Sequence, residues 1–472
     1  MVDAYMFAKR KVRWVIFGAL LSLTILSSTN QVYGQYTPDT TTQFTEKQLI
    51  TKNKFWRSSG ELFLAQLIPW SYNNFIRDAD FTHISFKSIG NNLKPKSWEW
   101  DDNSFKTNQF AHPYQGSMYF SAFRSNGYSF WQSAPASVAG SFMWETMGET
   151  HRPAINDFIN TSMGGIVLGE MSYLISTRII DESLTGFKRQ ANEMLAFLIN
   201  PMNGLNRIID GKWGKFSGAR TSKLDTVTGY VDVGLRRISE KDENIITRGY
   251  SSWYARVRLN YGDPYIESKT PFGNFAIEVE AGDDDSSKLN KITVNGLITS
   301  WQLLANAKSD HLLSLTANYN YYENAAFEYG GQSVNMNIYS RYRLSKKLEI
   351  QTKVGLGSII LGAVPDQYLY YGEGRNYDYG TGVSFSAYTG ISWDKFFFAN
   401  LNYLGGWIRT LNGNDSNYLL HAISIDTRSR IYKNFSLGID GGYFSLNGNY
   451  ENFPDVRKGY PFIRIGAGYM IR

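Results

Sequence analysis

The chain has 472 residues, no cysteine, 48 Lys and Arg against 42 Asp and Glu, and 15% aromatic residues that include 32 Tyr. A formal charge of only +6 over this length is no nucleic-acid signature, and the lack of cysteine excludes disulfides, thiolate metal sites and a lipid anchor on cysteine. The five histidines (His83, His112, His151, His311 and His421) show no ligand spacing, so neither a metal nor another cofactor is expected.

The basic residues Lys9, Arg10, Lys11 and Arg13 precede an apolar run from Val15 to Leu26, too short for a comfortable membrane span. Val32-Tyr33-Gly34 then offers the residues a signal peptidase reads, so residues 1–34 are expected to be a signal peptide. Its loss removes four basic residues and one acid, Asp3, and leaves +3 of the +6. Residues 35–54 are polar, rich in Thr and Gln, and expected to form a flexible tail.

Residues 55–220 have a helical pattern. Ser58-Ser-Gly-Glu61 reads as a capping box opening a helix from Leu62 to Ile76, kinked before Pro69. Residues 80–111 lack a clear period and hold Trp98-Glu-Trp100-Asp-Asp102, an expected interfacial loop. Gln115 to Trp131 reads as an aromatic helix interrupted at Gly127. Ser133 is placed as the cap of the next helix, which aligns Ser137, Ser141, Glu145 and Glu149 on one stripe. After Pro153, a long helix from Ala154 to Ile180 carries Asp157, Asn160 and Gly164 on one face, and Gly165 and Gly169 permit close approach by a partner. Ser183 to Ile199 is an amphipathic helix ending at Asn200-Pro201.

The stretches TNQFAHPYQGSMYFSAFRSNGYSFWQS, GSFMWETMGE, RPAINDFINTSMGGIVLGE and NPMNGLNRIIDG together resemble an uncharacterised family of Gram-negative outer-membrane proteins, the domain of unknown function 3943 type. The resemblance covers roughly residues 55–215 and implies a helical motif region joined to a barrel, with no established activity. Its motif positions here are Arg124, Asn126, Asn160, Gly164, Gly165, Gly169, Glu170, Asn200, Pro201, Gly204, Asn206 and Arg207. The order His, Glu, Asp-x-x-Asn, Gly is also loosely similar to small membrane-associated families of the teicoplanin-resistance type.

Residues 221–472 alternate with period two. Val334, Met336, Ile338, Tyr342 and Leu344 fall on one face of a strand, and Asn335, Asn337, Tyr339, Arg341 and Arg343 on the other. About twelve such segments begin near residues 228, 251, 274, 292, 311, 328, 347, 378, 396, 418, 435 and 460, with tight turns and long loops alternating between them. That is the pattern of an outer-membrane barrel with both ends periplasmic, although the long connection from Gly262 to Gly273 fits it poorly. A soluble β-sandwich is the competing reading. The inward face is expected to be basic, with Arg256, Arg258, Arg341, Arg343, Arg428, Arg430 and Arg464. The fold class is thus α+β, about four helices followed by an antiparallel transmembrane barrel of about twelve strands.

Two functions compete. The first is a non-enzymatic outer-membrane protein whose helices plug or brace the barrel, for envelope organisation, assembly or restricted transport. Glu145, Glu149, Asp157 and Glu170 would then pair with arginines, Arg124 and Arg152 among them. The second is a hydrolase-type enzyme on envelope lipid or glycan that uses His112, Glu145, Glu149 and Asp157, since neighbouring carboxylates in a poorly solvated site raise one another's pKa. No nucleophile elbow or triad spacing is present. The expected partners are outer-membrane lipids or lipopolysaccharide and other envelope proteins.

Overall fold

The computed structural model describes residues 53–217, 227–239, 244–283, 287–324, 328–372, 374–394 and 396–471. The expected signal peptide and nearly all of the expected tail lie outside the described residues.

The alternating half closes into one antiparallel barrel, in which each strand pairs with its sequence neighbours and the first pairs with the last. Its strands are β1 (Val227–Ile238), β2 (Tyr250–Tyr261), β3 (Phe275–Gly282), β4 (Leu289–Ala305), β5 (Ser309–Glu323) and β6 (Glu328–Arg343). β7 (Leu348–Pro365), β8 (Tyr377–Trp393), β9 (Phe397–Asn412), β10 (Ser416–Tyr432), β11 (Phe435–Tyr450) and β12 (Val456–Ile471) complete it. Val227 and Ile471 mark one end, called lower here, and the tight turns lie there. Asp394 and Lys433 take positive φ (51° and 47°) in two of these turns.

Register separates two faces. Asp232 lies opposite Arg256, Arg256 opposite Glu280, and Glu280 opposite Lys291, all on the lumen face. The next residues along point outwards, and round much of the barrel they are exposed and apolar: Val233, Leu235, Met336, Ile338, Leu437 and Ile465. An apolar belt round a closed barrel is the surface of an outer-membrane barrel.

That belt is interrupted on one side. The outward row Leu259, Ile277, Val294, Tyr319, Gln332 and Leu361 runs strand to strand across β2–β7. Yet Tyr319 is 0% exposed and Leu361 1%, as are Ala363 and Tyr379 (both 0%) further along. The helices cover them. Phe120, Phe130, Val167, Leu168 and Met171 form one core with Phe272, Phe275, Val294 and Tyr319.

The helical half holds α1 (Phe55–Phe75), α2 (Phe86–Asn92), α3 (His112–Arg124), α4 (Phe130–Met143), α5 (Ile155–Ile159), α6 (Gly165–Ile179), α7 (Gly186–Ile199) and α8 (Pro201–Ile209). More helices form than expected, because π-helical turns and short connections divide the long ones. The first helix begins at Phe55 with no side-chain cap, seven residues before the expected Leu62. The cap of α4 is Ser129, in a capping box with Gln132, not Ser133. The helix α8 was not expected; Pro201 opens it and the Asn200 side chain accepts from the Asn203 N–H at 2.9 Å.

α3, α4 and α5–α6 stand alternately down and up against the barrel's outside, and α1 packs on α3 and α4. The upper end of α6 packs near Tyr319 through Gly164, and at its lower end Arg178 lies 5.6 Å over the Tyr261 ring. Gly165 meets Gly116 and Ser137, and Gly169 meets the Phe120 ring, so a larger side chain has no room at either position. These helices flank the barrel and do not enter its lumen, which corrects the plug expectation. The barrel fills its own upper lumen with Tyr322, Tyr329, Ile408, Tyr418, Leu446 and Tyr450. The ill-fitting β2–β3 connection explains itself here: Tyr265 is buried beside Tyr339 and Arg341, and Phe272 packs against Phe130 of the helices.

Candidate functional site

Most arginines expected on the lumen face are paired with acids of the barrel itself. Arg256 pairs with Asp440 (2.6 Å) and Asp232 (3.3 Å), and Arg258 with Asp232 (3.1 Å) and Asp426. Arg428 pairs with Asp232, Arg464 with Glu280 (2.9 Å), and Arg341 and Arg343 with Asp310. Arg430 sits on the same face near the lower rim, opposite Ser436. Below the aromatic filling, a cavity of about 2720 Å³ occupies the lumen, and its lining continues past the β2–β3 connection to Phe130, Glu170 and Arg178.

The lower end of the helical bundle is also paired. Arg124 donates to both Glu170 oxygens (2.8 and 3.1 Å) and to the Tyr128 carbonyl (3.1 Å). Asn126 and Asn206 each donate to Glu61 at 2.8 Å, and Arg57 completes that carboxylate at 3.0 Å. Asn200 donates to the Ser121 and Ser172 hydroxyls, both at 2.9 Å. Arg207 holds Glu193 at 2.9 Å, and Gly204 leaves room for the Phe197 ring. These motif residues lock α7 and α8 to α1, α3 and α6.

The upper end is different. Glu145, Glu149, Asp157 and His112 come together there, and Asp101 joins them from the loop before α3. The Asp157 Oδ2 lies 3.5 Å from His112 Nε2, and its Oδ1 accepts from Asn156 at 2.7 Å. Asp157 also hydrogen-bonds Asp101, and Glu145 hydrogen-bonds Glu149. The Glu145 Oε2 accepts the Ala154 N–H at 2.7 Å. Among the described residues, no arginine or lysine pairs with Glu145, Glu149 or Asp157; Arg152 reaches Glu99 on the surface instead, at 2.9 Å. The expectation of arginine pairing therefore holds for Glu170 and fails for the other three.

Without a counter-charge, burial sets the protonation. It pushes Glu145 up to about 8 and Glu149 and Asp157 well above the usual carboxylate range, with the charges of neighbouring carboxylates adding to the effect for Glu149 and Asp157. Burial pushes His112 down, towards its neutral form. The result is a set of carboxyls that share protons beside a neutral imidazole. Such a set can take and return protons near neutral pH, as general acid–base chemistry requires.

The backbone singles out the same place. The chain makes π-helical turns at Thr107–Ala111, Trp144–Gly148 and Asn160–Gly164. His112 directly follows the first, Glu145 lies in the second with Glu149 just after it, and Asp157 precedes the third by one turn. Such turns concentrate at functional sites because they re-aim side chains inside an otherwise regular helix. Asn108 Oδ1 and Asn160 Oδ1 are buried there without a hydrogen-bond partner, although Asn160 donates to the Asn108 carbonyl at 3.1 Å. Among the described residues, no group of three or more His, Asp or Glu is arranged to hold a metal ion. Asp101 and the π turns escaped sequence reasoning; the acidic, aromatic run at Trp98–Asp102 was the available signal for the first.

The site is anchored to the barrel's upper rim. Tyr377 accepts from Asn108 at 2.8 Å and donates to the Asn103 carbonyl at 2.9 Å, while Tyr319 donates to the Gln109 carbonyl at 2.5 Å. Arg375, in the β7–β8 loop, donates to the Asp101 carbonyl at 3.2 Å.

Residues 97–202 match the family model described as Domain of unknown function (DUF3943). The match lies within the helical half of this chain. Its boundaries enclose Asp101, His112, Glu145, Glu149 and Asp157, and leave out the barrel. No curated protein matches the chain. Solved structures similar to the barrel half include the NanC porin, at 9% identity over 51% of this chain and 98% of that one, with a TM-score of 0.30. The KdgM porin in complex with disordered oligogalacturonate aligns at 10% identity over 52% and 99%, TM-score 0.25. The outer membrane channel DcaP of Acinetobacter baumannii aligns at 9% over 52% and 96%, TM-score 0.25.

Proposed function

We propose that this chain is an outer-membrane enzyme of hydrolase type, acting on envelope lipid or glycan, in which the barrel holds a DUF3943 helical domain at its outer wall. The observation that carries the reading is the uncompensated acid cluster. Buried carboxyls placed only for structure are paired, as Glu170 and Glu61 are. Asp101, Glu145, Glu149, Asp157 and His112 are held together without a cation, at three irregular helix turns. One carboxylate takes the proton of an attacking water while a protonated neighbour gives its proton to the leaving oxygen, and His112 returns the site to its starting state. The lumen supports the transport reading less well, because its upper part is filled by side chains and most of its arginines are paired.

The test compares envelope lipids and glycolipids, by mass spectrometry, in a deletion strain carrying the parent chain or Asp157→Asn. A headgroup or glycan change that appears with the parent only is expected. Identical profiles, together with full complementation by Asp157→Asn, would overturn the proposal.

A further inference from the structure

The lateral face of the bundle is apolar for most of its height. On α1 the exposed side chains include Phe63, Leu64, Ile68 and Tyr72, and on α4 they include Val138 and Phe142. α1 has no charged residue between Glu61 and its end at Phe75, and α4 has none at all. The uncharged stretches, Leu62–Phe75 and the whole of α4, are 14 residues each and rise roughly 21 Å at about 1.5 Å per residue. An outer-membrane barrel's apolar belt is about 25 Å tall.

The position of this face decides what covers it. The bundle stands against the outward row of β3–β8, the row that is exposed elsewhere as the belt. Its free side therefore continues the belt laterally. None of the described helices is long and apolar enough to cross a membrane alone. A bundle backed by a barrel does not need that: its polar groups turn inwards, as Gln66 does to the Gly140 carbonyl (2.7 Å), and only the outer side must be apolar.

We infer that the α1–α4 face is covered by lipid, so that the helical bundle stands within the outer membrane beside the barrel. The acid cluster, level with the β7–β8 loop, then lies where lipid headgroups lie. This last step rests on the acid–base reading above and narrows its substrate class to membrane lipid; the placement itself does not depend on it.

The lack of cysteine makes the test direct. Leu64→Cys, Ile68→Cys and Val138→Cys, each carrying a nitroxide, are compared in native outer membrane with Leu437→Cys on the barrel belt and Lys346→Cys in a lower turn. Relaxation by oxygen with exclusion of a water-soluble nickel complex is expected at positions 64, 68 and 138, as at 437. Relaxation by nickel, as at 346, would overturn the placement. So would exclusion of both reagents, which means that protein covers the face. If the placement holds while Glu149→Gln complements fully, the acid–base reading fails and the placement stands. If the labels report water while Glu149→Gln is inactive, the placement fails and the site acts on a soluble glycan.

Discussion

The two ends of the helical bundle use the same residue types to opposite effect. At the lower end every buried carboxylate meets arginine or several amide donors: Glu170 with Arg124, Glu61 with Arg57, Asn126 and Asn206, and Glu193 with Arg189 and Arg207. At the upper end Glu145, Glu149 and Asp157 face other carboxyls and one neutral imidazole. The arginines hold Glu193 below the usual carboxylate range, while burial leaves Glu61 raised despite its donors. The unpaired carboxyls are kept by burial in their protonated form, and the fold bears their cost. A protein tolerates such a cluster where it does chemistry.

The largest stability effect is expected at the lower end. Glu170→Gln leaves the Arg124 guanidinium buried without its carboxylate, a loss of about 3–5 kcal/mol. Thermal unfolding of the purified protein in detergent should show a large drop in Tm. An unchanged Tm would mean that the lower pairs do not hold the bundle.

Gly165→Leu comes next, because the new side chain must displace Gly116 and Ser137. Overpacking of this kind costs about 1–3 kcal/mol. Bundle and barrel should separate more readily, seen as loss of protease resistance in the helical half while the barrel's heat-modifiable gel mobility persists. Full resistance would show that this helix contact is dispensable.

A pH-dependent effect belongs to Glu145. Its folded pKa is raised to about 8 from an ordinary 4.5, so the stability tied to its proton is full below 4.5 and is lost as pH rises through about 8. Glu145→Gln keeps an acceptor for the Ala154 N–H and removes the titration. The variant should match the parent below about 4.5 and become progressively the more stable of the two as pH rises from 4.5 to about 8, with the difference constant above that. Parallel Tm-against-pH curves would show that Glu145 is ionised in the folded protein.

Much of the barrel was legible. Period two and the rhythm of tight turns and long loops gave all the strand starts, the poorest being β12 at Val456 against an expected 460. Which part of the outward face meets protein was not legible, because Tyr319 or Tyr379 suits a lipid-facing strand as well as a helix-facing one. That ambiguity made the bundle read as a plug. The glycines pointed to close helix packing, since Gly165 and Gly169 are too closely spaced for an open face. Arg152 was not legible as a surface residue, because its place in the sequence beside the carboxylates does not say which way the loop turns; it turns outwards to Glu99. The π turns have no sequence signature, so the place where His112, Glu145 and Asp157 converge appears only in three dimensions.

Glu149→Gln separates the two ends most directly, since the smallest stability change is expected where the largest functional one is. Thermal stability in detergent and complementation of a deletion strain are measured on the same variant. The account predicts an assembled barrel with unchanged or raised Tm and lost complementation, because an amide cannot carry the proton. A fall in Tm like that of Glu170→Gln, or full complementation, would contradict it.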